Sequence, residues 1–254
     1  MGGNRTGSGT DVIELYNYLK STCSQKVRLC LHTKGLDFVE RPVDLSRGEQ
    51  LTPEYLAINP NGVVPTIRHD GQVVTDSSVI MEYLDEVFDT PPLSGRTPPA
   101  RAEVRMWLRF FEEVPTVAIR IPSFKQVLLK PVEKMTPEAR RANSEKRTLR
   151  KSFYQSMEDG IDDARLAEAM ERLDMTLDRM EHALSARRWV AGDDFSIADI
   201  AVIPTLDRMR DLGHGDRWAD LPGVSRWWRE VIELDAYRKT YVTGSRLSEP
   251  TSTA

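Results

Sequence analysis

Ser21-Thr22-Cys23-Ser24 is a run of small side chains able to do chemistry, set between the apolar run VIELYNY (residues 12–18) and CSQKVRLCLHTKG. A strand before it and a helix after it put these four residues at a helix N-terminus, where unpaired N–H groups and the positive end of the dipole stabilise an anion. A hydroxyl in such a turn donates a hydrogen bond to a bound thiolate and draws its pKa from about 8.5 toward neutrality. Ser21 is placed for that role. The same hydroxyl would also cap the helix, a structural contribution of about 1 kcal/mol, and the turn alone does not separate the two readings.

Two further stretches bear on the choice. NPNGVVPT sets Pro65 at the head of a strand, where its missing N–H requires an edge or special position. A cis Val64-Pro65 bond there would present the Val64 backbone N–H and C=O to an extended peptide. TDSSVI delivers Asp76 and Ser77 to another helix start. The serine hydroxyl and helix amides suit a carboxylate and Asp76 suits an ammonium, which together describe an α-amino acid head group. A ligand with a thiol at one end and a free amino-acid group at the other is a thiol peptide.

These residues need a frame. The pattern reads as strand, helix, strand, helix, then two strands joined at Asp70-Gly71 and a further helix, with Gly35 closing the first helix and Thr52-Pro53 opening the second. DTPPLSGRTPP (89–99) has the composition of an inter-domain linker, and beyond it the long segments carry helical periodicity. The expected organisation is a tail over 1–11, an α/β ligand-binding domain over 12–90, a linker over 91–99, an all-α domain over 100–243 and a tail over 244–254. An insertion falls at about 120–160. Residues 125–151 hold nine Lys/Arg against three Asp/Glu, and residues 158–181 the reverse, nine acidic against three basic. That pattern fits a solvated insertion with partly offsetting charges, or a lid over a binding site.

Composition excludes several classes. With 35 Lys+Arg against 39 Asp+Glu the chain has a net charge of -4, no general field for nucleic acid or an anionic membrane. No run approaches the 18 apolar residues of a membrane span. Cys23 and Cys30 stand seven residues apart, about 10 Å along a helix by its 1.5 Å rise, too far for a disulfide. Two Cys and four scattered His (His32, His69, His182, His214) offer no metal-ligand spacing, so no metal is expected. The chain reads as cytoplasmic with reduced thiols and a small-molecule partner.

Taken in order, YNYLKSTCSQKVRLCLHTKG, AINPNGVVPTI, VVTDSSVIMEYLDE and DDFSIADIAVIP resemble the consecutive signatures of the glutathione S-transferase superfamily over roughly residues 12–240. The resemblance implies a thioredoxin-like N-terminal domain that binds glutathione as co-substrate, an all-α C-terminal domain, and a homodimer. It matches Ser21 to the hydroxyl that activates the glutathione sulfur in serine-type classes. Val64, before Pro65, matches the pairing site for the cysteinyl backbone, and Asp76 and Ser77 match the γ-glutamyl site. Gln50 matches a side chain that reaches the glycyl end in zeta-class enzymes. Ser196 and Asp199 form a capping box, with Phe195 placed to staple on Ile200, and this box is structural.

The S-x-C-S turn is similar to that of zeta-class enzymes, which isomerise maleylacetoacetate, and of bacterial tetrachlorohydroquinone reductive dehalogenases. In the latter a thiol at the Cys23 position attacks a glutathionyl-aromatic conjugate, and a second glutathione resolves the mixed disulfide. The insertion is similar in position to extensions in dehalogenases and bacterial β-aryl etherases, which favours an aromatic substrate. Phe111 and Phe124 are expected to line its pocket. The implied activity is thiolate attack on a hydrophobic, aromatic electrophile by conjugation or β-aryl ether cleavage. The alternatives are reductive dehalogenation through Cys23, a maleylacetoacetate-type isomerisation, or a non-catalytic scaffold.

Overall fold

In the computed structural model, which describes residues 12–130 and 134–250, the first apolar run forms β1 (Ile13–Asn17), with Ile13, Leu15 and Asn17 turned inward. Ser21 caps α1 (Thr22–Lys34), and Gly35, at φ 65°, supplies the left-handed residue that ends it. β2 (Phe38–Pro42) runs parallel to β1. Four of its five residues are exposed, because β2 lies at the sheet edge and its sequence alternation marks no buried face.

A short helix α2 (Pro53–Leu56), capped by Thr52, leads to the hairpin of β3 (Thr66–His69) and β4 (Gln72–Thr75). Its turn residues Asp70 and Gly71 both have positive φ, 48° and 73°. The strands lie in the order β2-β1-β3-β4, with β3 antiparallel to both neighbours. α3 (Ser77–Val87) follows. The fold is thus an α/β thioredoxin-like domain followed by an all-helical one.

Lys34 closes the junction between the domains. Its buried ammonium donates to Asp85 Oδ1 and to the Pro91 carbonyl, each at 2.7 Å, and the Asp85 carboxylate accepts the Leu93 and Ser94 amides. Beyond the linker come α4 (Pro98–Glu113), α5 (Pro115–Ala118), α6 (Arg120–Ser123) and one π-helical turn (Phe124–Leu128). The expected insertion carries α7 (Pro137–Glu145) and α8 (Lys151–Gln155). Then follow α9 (Asp163–Leu184), α10 (Ile197–Asp211), α11 (Pro222–Glu233) and α12 (Asp235–Thr240).

α10 is buried on every side from Ile197 to Met209, and α1 packs against it, α3 and α12, so one apolar core runs through both domains. The Ser196–Asp199 capping box is formed. Asp199 does more than close it: Oδ1 also accepts the Val190 amide and the Trp227 indole N–H, at 3.1 and 2.8 Å. Phe195 sets its ring edge-on against Trp189, 4.9 Å between centroids.

The C-terminal stretch requires a correction. Residues 244–250, expected as part of a tail, are held in place, while 251–254 and 1–11 lie outside the described residues. Gln25 donates to the Ser245 carbonyl at 2.9 Å, Lys20 to the Glu249 carbonyl at 2.7 Å, and Arg246 pairs with Asp207 at 2.9 Å. Backbone carbonyls make most of these bonds, so side-chain composition gave no sign of them.

Candidate active site

The turn between β1 and α1 is fixed from the second domain. Arg208, almost wholly buried on α10, donates to the Lys20 carbonyl at 2.6 Å and lies 3.6 Å from the Asp211 carboxylate. Gln25 holds the Leu19 carbonyl at 2.9 Å. Ser21 therefore sits on a braced turn, with extended backbone at φ -80°, ψ 120°.

Ser21 Oγ accepts the Ser24 amide at 3.3 Å, and the Ser21 carbonyl takes the Gln25 amide at 2.9 Å. Acceptance uses an oxygen lone pair and leaves the hydroxyl proton free to donate. The Thr22 and Cys23 amides have no backbone partner among the described residues, as expected of a first turn. A hydroxyl proton and two amides thus remain for an anion at this helix start. Cys23, a partly exposed free thiol, stands in the same turn, whereas Cys30 is buried in the core, its thiol pushed up to about 12 by burial.

The other expected residues gather around the same end of the sheet. Val64 is buried, joined to Pro65 by a cis peptide, and neither its N–H nor its C=O has a backbone partner among the described residues. Gln50 is 2% exposed, and its Oε1 has no hydrogen-bond partner. A buried amide oxygen left unbonded is a position that a ligand N–H or water satisfies. Asp76 caps α3 by accepting the Ser78 and Val79 amides on Oδ1 at 3.0 and 3.2 Å, and it does so at φ 71°. A non-glycine residue held there stores strain of order 1–3 kcal/mol, of the kind that clusters at binding sites. Ser77, buried at the first position of α3, has no described partner for its hydroxyl.

Neighbouring Ser78 joins the domains: its hydroxyl donates to Glu112 at 2.8 Å, and Glu112 also takes the buried Lys26 ammonium. Burial would raise the Glu112 carboxyl, but Lys26 foremost, with Ser78 and Arg120, holds it below the ordinary carboxylate range.

The two aromatic expectations divide. Phe111 is fully buried, its ring 5.1 Å from Trp107, and no face is left for a ligand; it is a core residue and not pocket wall. Phe124 is half-buried and meets Phe153 and Tyr154 of α8 edge-on, at centroid distances of 5.2 and 5.6 Å. The insertion thus brings its own aromatic rings to the end of α6, and Thr148 ties it to the first domain through the Pro60 carbonyl at 3.0 Å. Sequence reading missed Phe153, Tyr154, Arg120 and Arg208. A surface depression of about 680 Å³ along α4, lined by Arg101, Arg105, Met106, Arg109 and Arg179, shares none of these residues. No cluster of His, Cys, Asp and Glu suited to a metal ion occurs among the described residues, and no described helix is long and apolar enough to cross a membrane.

Residues 20–87 match the family model for the glutathione S-transferase N-terminal domain and residues 163–230 that for the C-terminal domain, together more than half of the chain. The chain is 28% identical to glutathione S-transferase TCHQD of Arabidopsis thaliana, over 89% of this chain and 88% of that one. It is 31% identical to FtsZ-localized protein A of Caulobacter vibrioides, with 88% of both chains covered. Against protein LigF of Sphingobium sp. strain SYK-6 identity is 27% over 92% and 95% of the two chains. The crystal structure of that protein, described as a beta-etherase, superposes with a TM-score of 0.82, covering 91% of this chain and 98% of that one at 27% identity. Higher identities, 42–47%, are confined to stretches of 81–89 residues that make up 36–40% of other glutathione S-transferases, one of them named as zeta class.

Proposed function

The chain belongs to the glutathione S-transferase superfamily and is a glutathione-dependent enzyme, and from that premise we propose that it catalyses displacement at carbon on a hydrophobic, aromatic electrophile, by conjugation or β-aryl ether cleavage. The observation that carries this reading is the Ser21 hydroxyl. Its lone pair caps Ser24, and its proton remains for a sulfur at the N-terminus of α1. Bound glutathione supplies the nucleophilic thiol.

The protein's part is to hold that thiol as thiolate and to aim it. Ser21 Oγ–H and the Thr22 and Cys23 amides stabilise the negative sulfur in the way oxyanion donors stabilise oxygen. Val64 N–H and C=O pair with the cysteinyl backbone, with Pro65 fixing the chain direction. Gln50 Oε1 accepts from the glycyl end. Ser77 and the start of α3 hold the γ-glutamyl carboxylate, and Asp76, whose Oδ1 serves the helix, offers Oδ2 to the ammonium. Phe124, with Phe153 and Tyr154, forms the aromatic side of the electrophile pocket, which favours an aromatic substrate over a maleyl diketone. LigF, a beta-etherase, supports the ether-cleaving form of the reaction.

Cys23 supports a second reading, reductive dehalogenation, because its thiol is partly exposed in the turn that also carries Ser21. A docking role without chemistry, suggested by the name of FtsZ-localized protein A, leaves the free polar groups of Ser21, Gln50, Val64 and Ser77 without a purpose. The proposed assembly is a homodimer, as is usual in the family, in the cytoplasm. Mass spectrometry after incubation with glutathione and a pool of aryl ethers, haloaromatics and a maleyl diketone tests the assignment. A glutathionyl conjugate or a released phenol is expected. Reduced arene with oxidised glutathione, lost in Cys23→Ser, would transfer the chemistry to Cys23, and an isomerised diketone would overturn the aromatic assignment.

A further inference from the structure

Among the basic residues of the insertion and of α6, the half-buried Arg120, Arg147 and Arg150 have no carboxylate within ion-pair distance among the described residues. Arg120 stands at the start of α6, one helical turn before Phe124, and its guanidinium lies 5.9 Å from the centre of the Phe153 ring. Arg150 immediately precedes α8, three residues before Phe153 and four before Tyr154. Arg120 thus stands against the Phe153 ring, and Arg150 heads the helix that carries Phe153 and Tyr154.

They also act on one another. Burial lowers the Arg120 pKa, and the charge of Arg150 lowers it further, while Cys23, Glu112 and Tyr154 work the other way. Cys23 of the β1–α1 turn lies within electrostatic reach of Arg120. Glu112, the carboxylate within reach, is already engaged by Lys26 and Ser78. Two partly buried like charges, whose reachable carboxylate lies beyond ion-pair distance and already serves Lys26 and Ser78, are held at a cost that an incoming anion reduces.

We propose that Arg120 and Arg150, set against the rings of Phe124, Phe153 and Tyr154, receive an anionic oxygen group, a carboxylate or phenolate, carried by the aromatic second substrate. The proposal rests on the displacement reading above and adds charge selection to it. Arg147, stacked on Tyr154 at 4.0 Å, fixes that ring and is not part of the pair. The arrangement places the apolar ring of the substrate among aromatic edges and its charged substituent on guanidinium donors, so a neutral analogue of the same shape loses the second contact only.

Equilibrium binding tests this without turnover. Calorimetry compares the S-aryl glutathione carrying a para-carboxylate with its methyl ester, on wild type, Arg120→Met and Arg150→Met, with glutathione itself as the control for folding and for the peptide site. The carboxylate is expected to bind wild type about tenfold or more tightly than the ester, and either substitution to shrink that ratio toward one while glutathione binds as before. Equal affinities in wild type, or a preference that survives both substitutions, would overturn the proposal. Weaker binding of glutathione itself in both variants would assign the pair to the peptide and overturn it also. Failure of wild type to bind glutathione at all would sink the displacement reading beneath it, an outcome distinct from the others.

Discussion

Replacing the Ser21 hydroxyl removes one cap acceptor and one donor to sulfur, and the two losses differ in size. The cap is worth about 1 kcal/mol, a fall of about 2–4 °C in a chain of this length. The donor, by analogy with a single oxyanion-hole contact, is worth about 100-fold in turnover. Ser21→Ala is therefore expected to melt close to wild type, bind glutathione within about threefold, and turn over about 100-fold more slowly, with Ser21→Thr restoring much of the rate. Steady-state kinetics beside a thermal melt checks this; a wild-type rate in Ser21→Ala would contradict it. The capping positions of Ser21 and Asp76 were legible because capping is local, a matter of which residue stands before an apolar helix. Arg120 and Phe153 meet across more than thirty residues of chain, and no local pattern marks that contact. Phe111 was misplaced although the signal was present: Val104, Trp107, Leu108 and Phe111 repeat at helical spacing and mark the buried stripe of α4.

The joint between α1, α3 and α4 is made of charge as well as apolar surface. Lys26 lies in the core with 1% of its side chain exposed, and Glu112 neutralises it while accepting from Ser78. The Glu112 carboxyl titrates lower in the folded chain than in the unfolded one, so its contribution is present above the unfolded carboxylate value and is lost as pH falls through the depressed folded value. Glu112→Gln leaves the Lys26 ammonium buried without its counter-charge, at a cost of about 3 kcal/mol near neutrality. Melting temperature measured against pH is expected to fall in acid for wild type and to fall less steeply for Glu112→Gln from its lower starting point. Parallel curves would show that the pair does not couple to stability. The order of strands and helices was readable from periodicity and caps, since each element announces itself within ten residues or so. The edge position of β2 was not, because exposure of a strand depends on which neighbour it lacks.

Across the whole molecule, the reactive turn is braced by parts of the chain far from it in sequence. Arg208 holds the Lys20 carbonyl, and residues 244–250 hold Gln25 and Lys20. Deleting residues 244–254 is expected to raise amide exchange in the 18–25 stretch at least tenfold while leaving α9 protected, because the lost bonds fall on the turn, the start of α1 and the end of α10, and none on α9. Unchanged exchange there would show that Arg208 suffices. The insertion brings Phe153 and Tyr154 against Phe124, which in the proposed function is the aromatic side of the electrophile pocket. All of this serves the claim that the N-terminus of α1 holds a thiolate. Its most direct test is titration of enzyme-bound glutathione by ultraviolet thiolate absorbance, in wild type and Ser21→Ala. The bound thiol is expected to ionise well below its free value of about 8.5 in wild type and to move back toward it in the variant. Identical titrations in the two proteins would contradict the role assigned to Ser21.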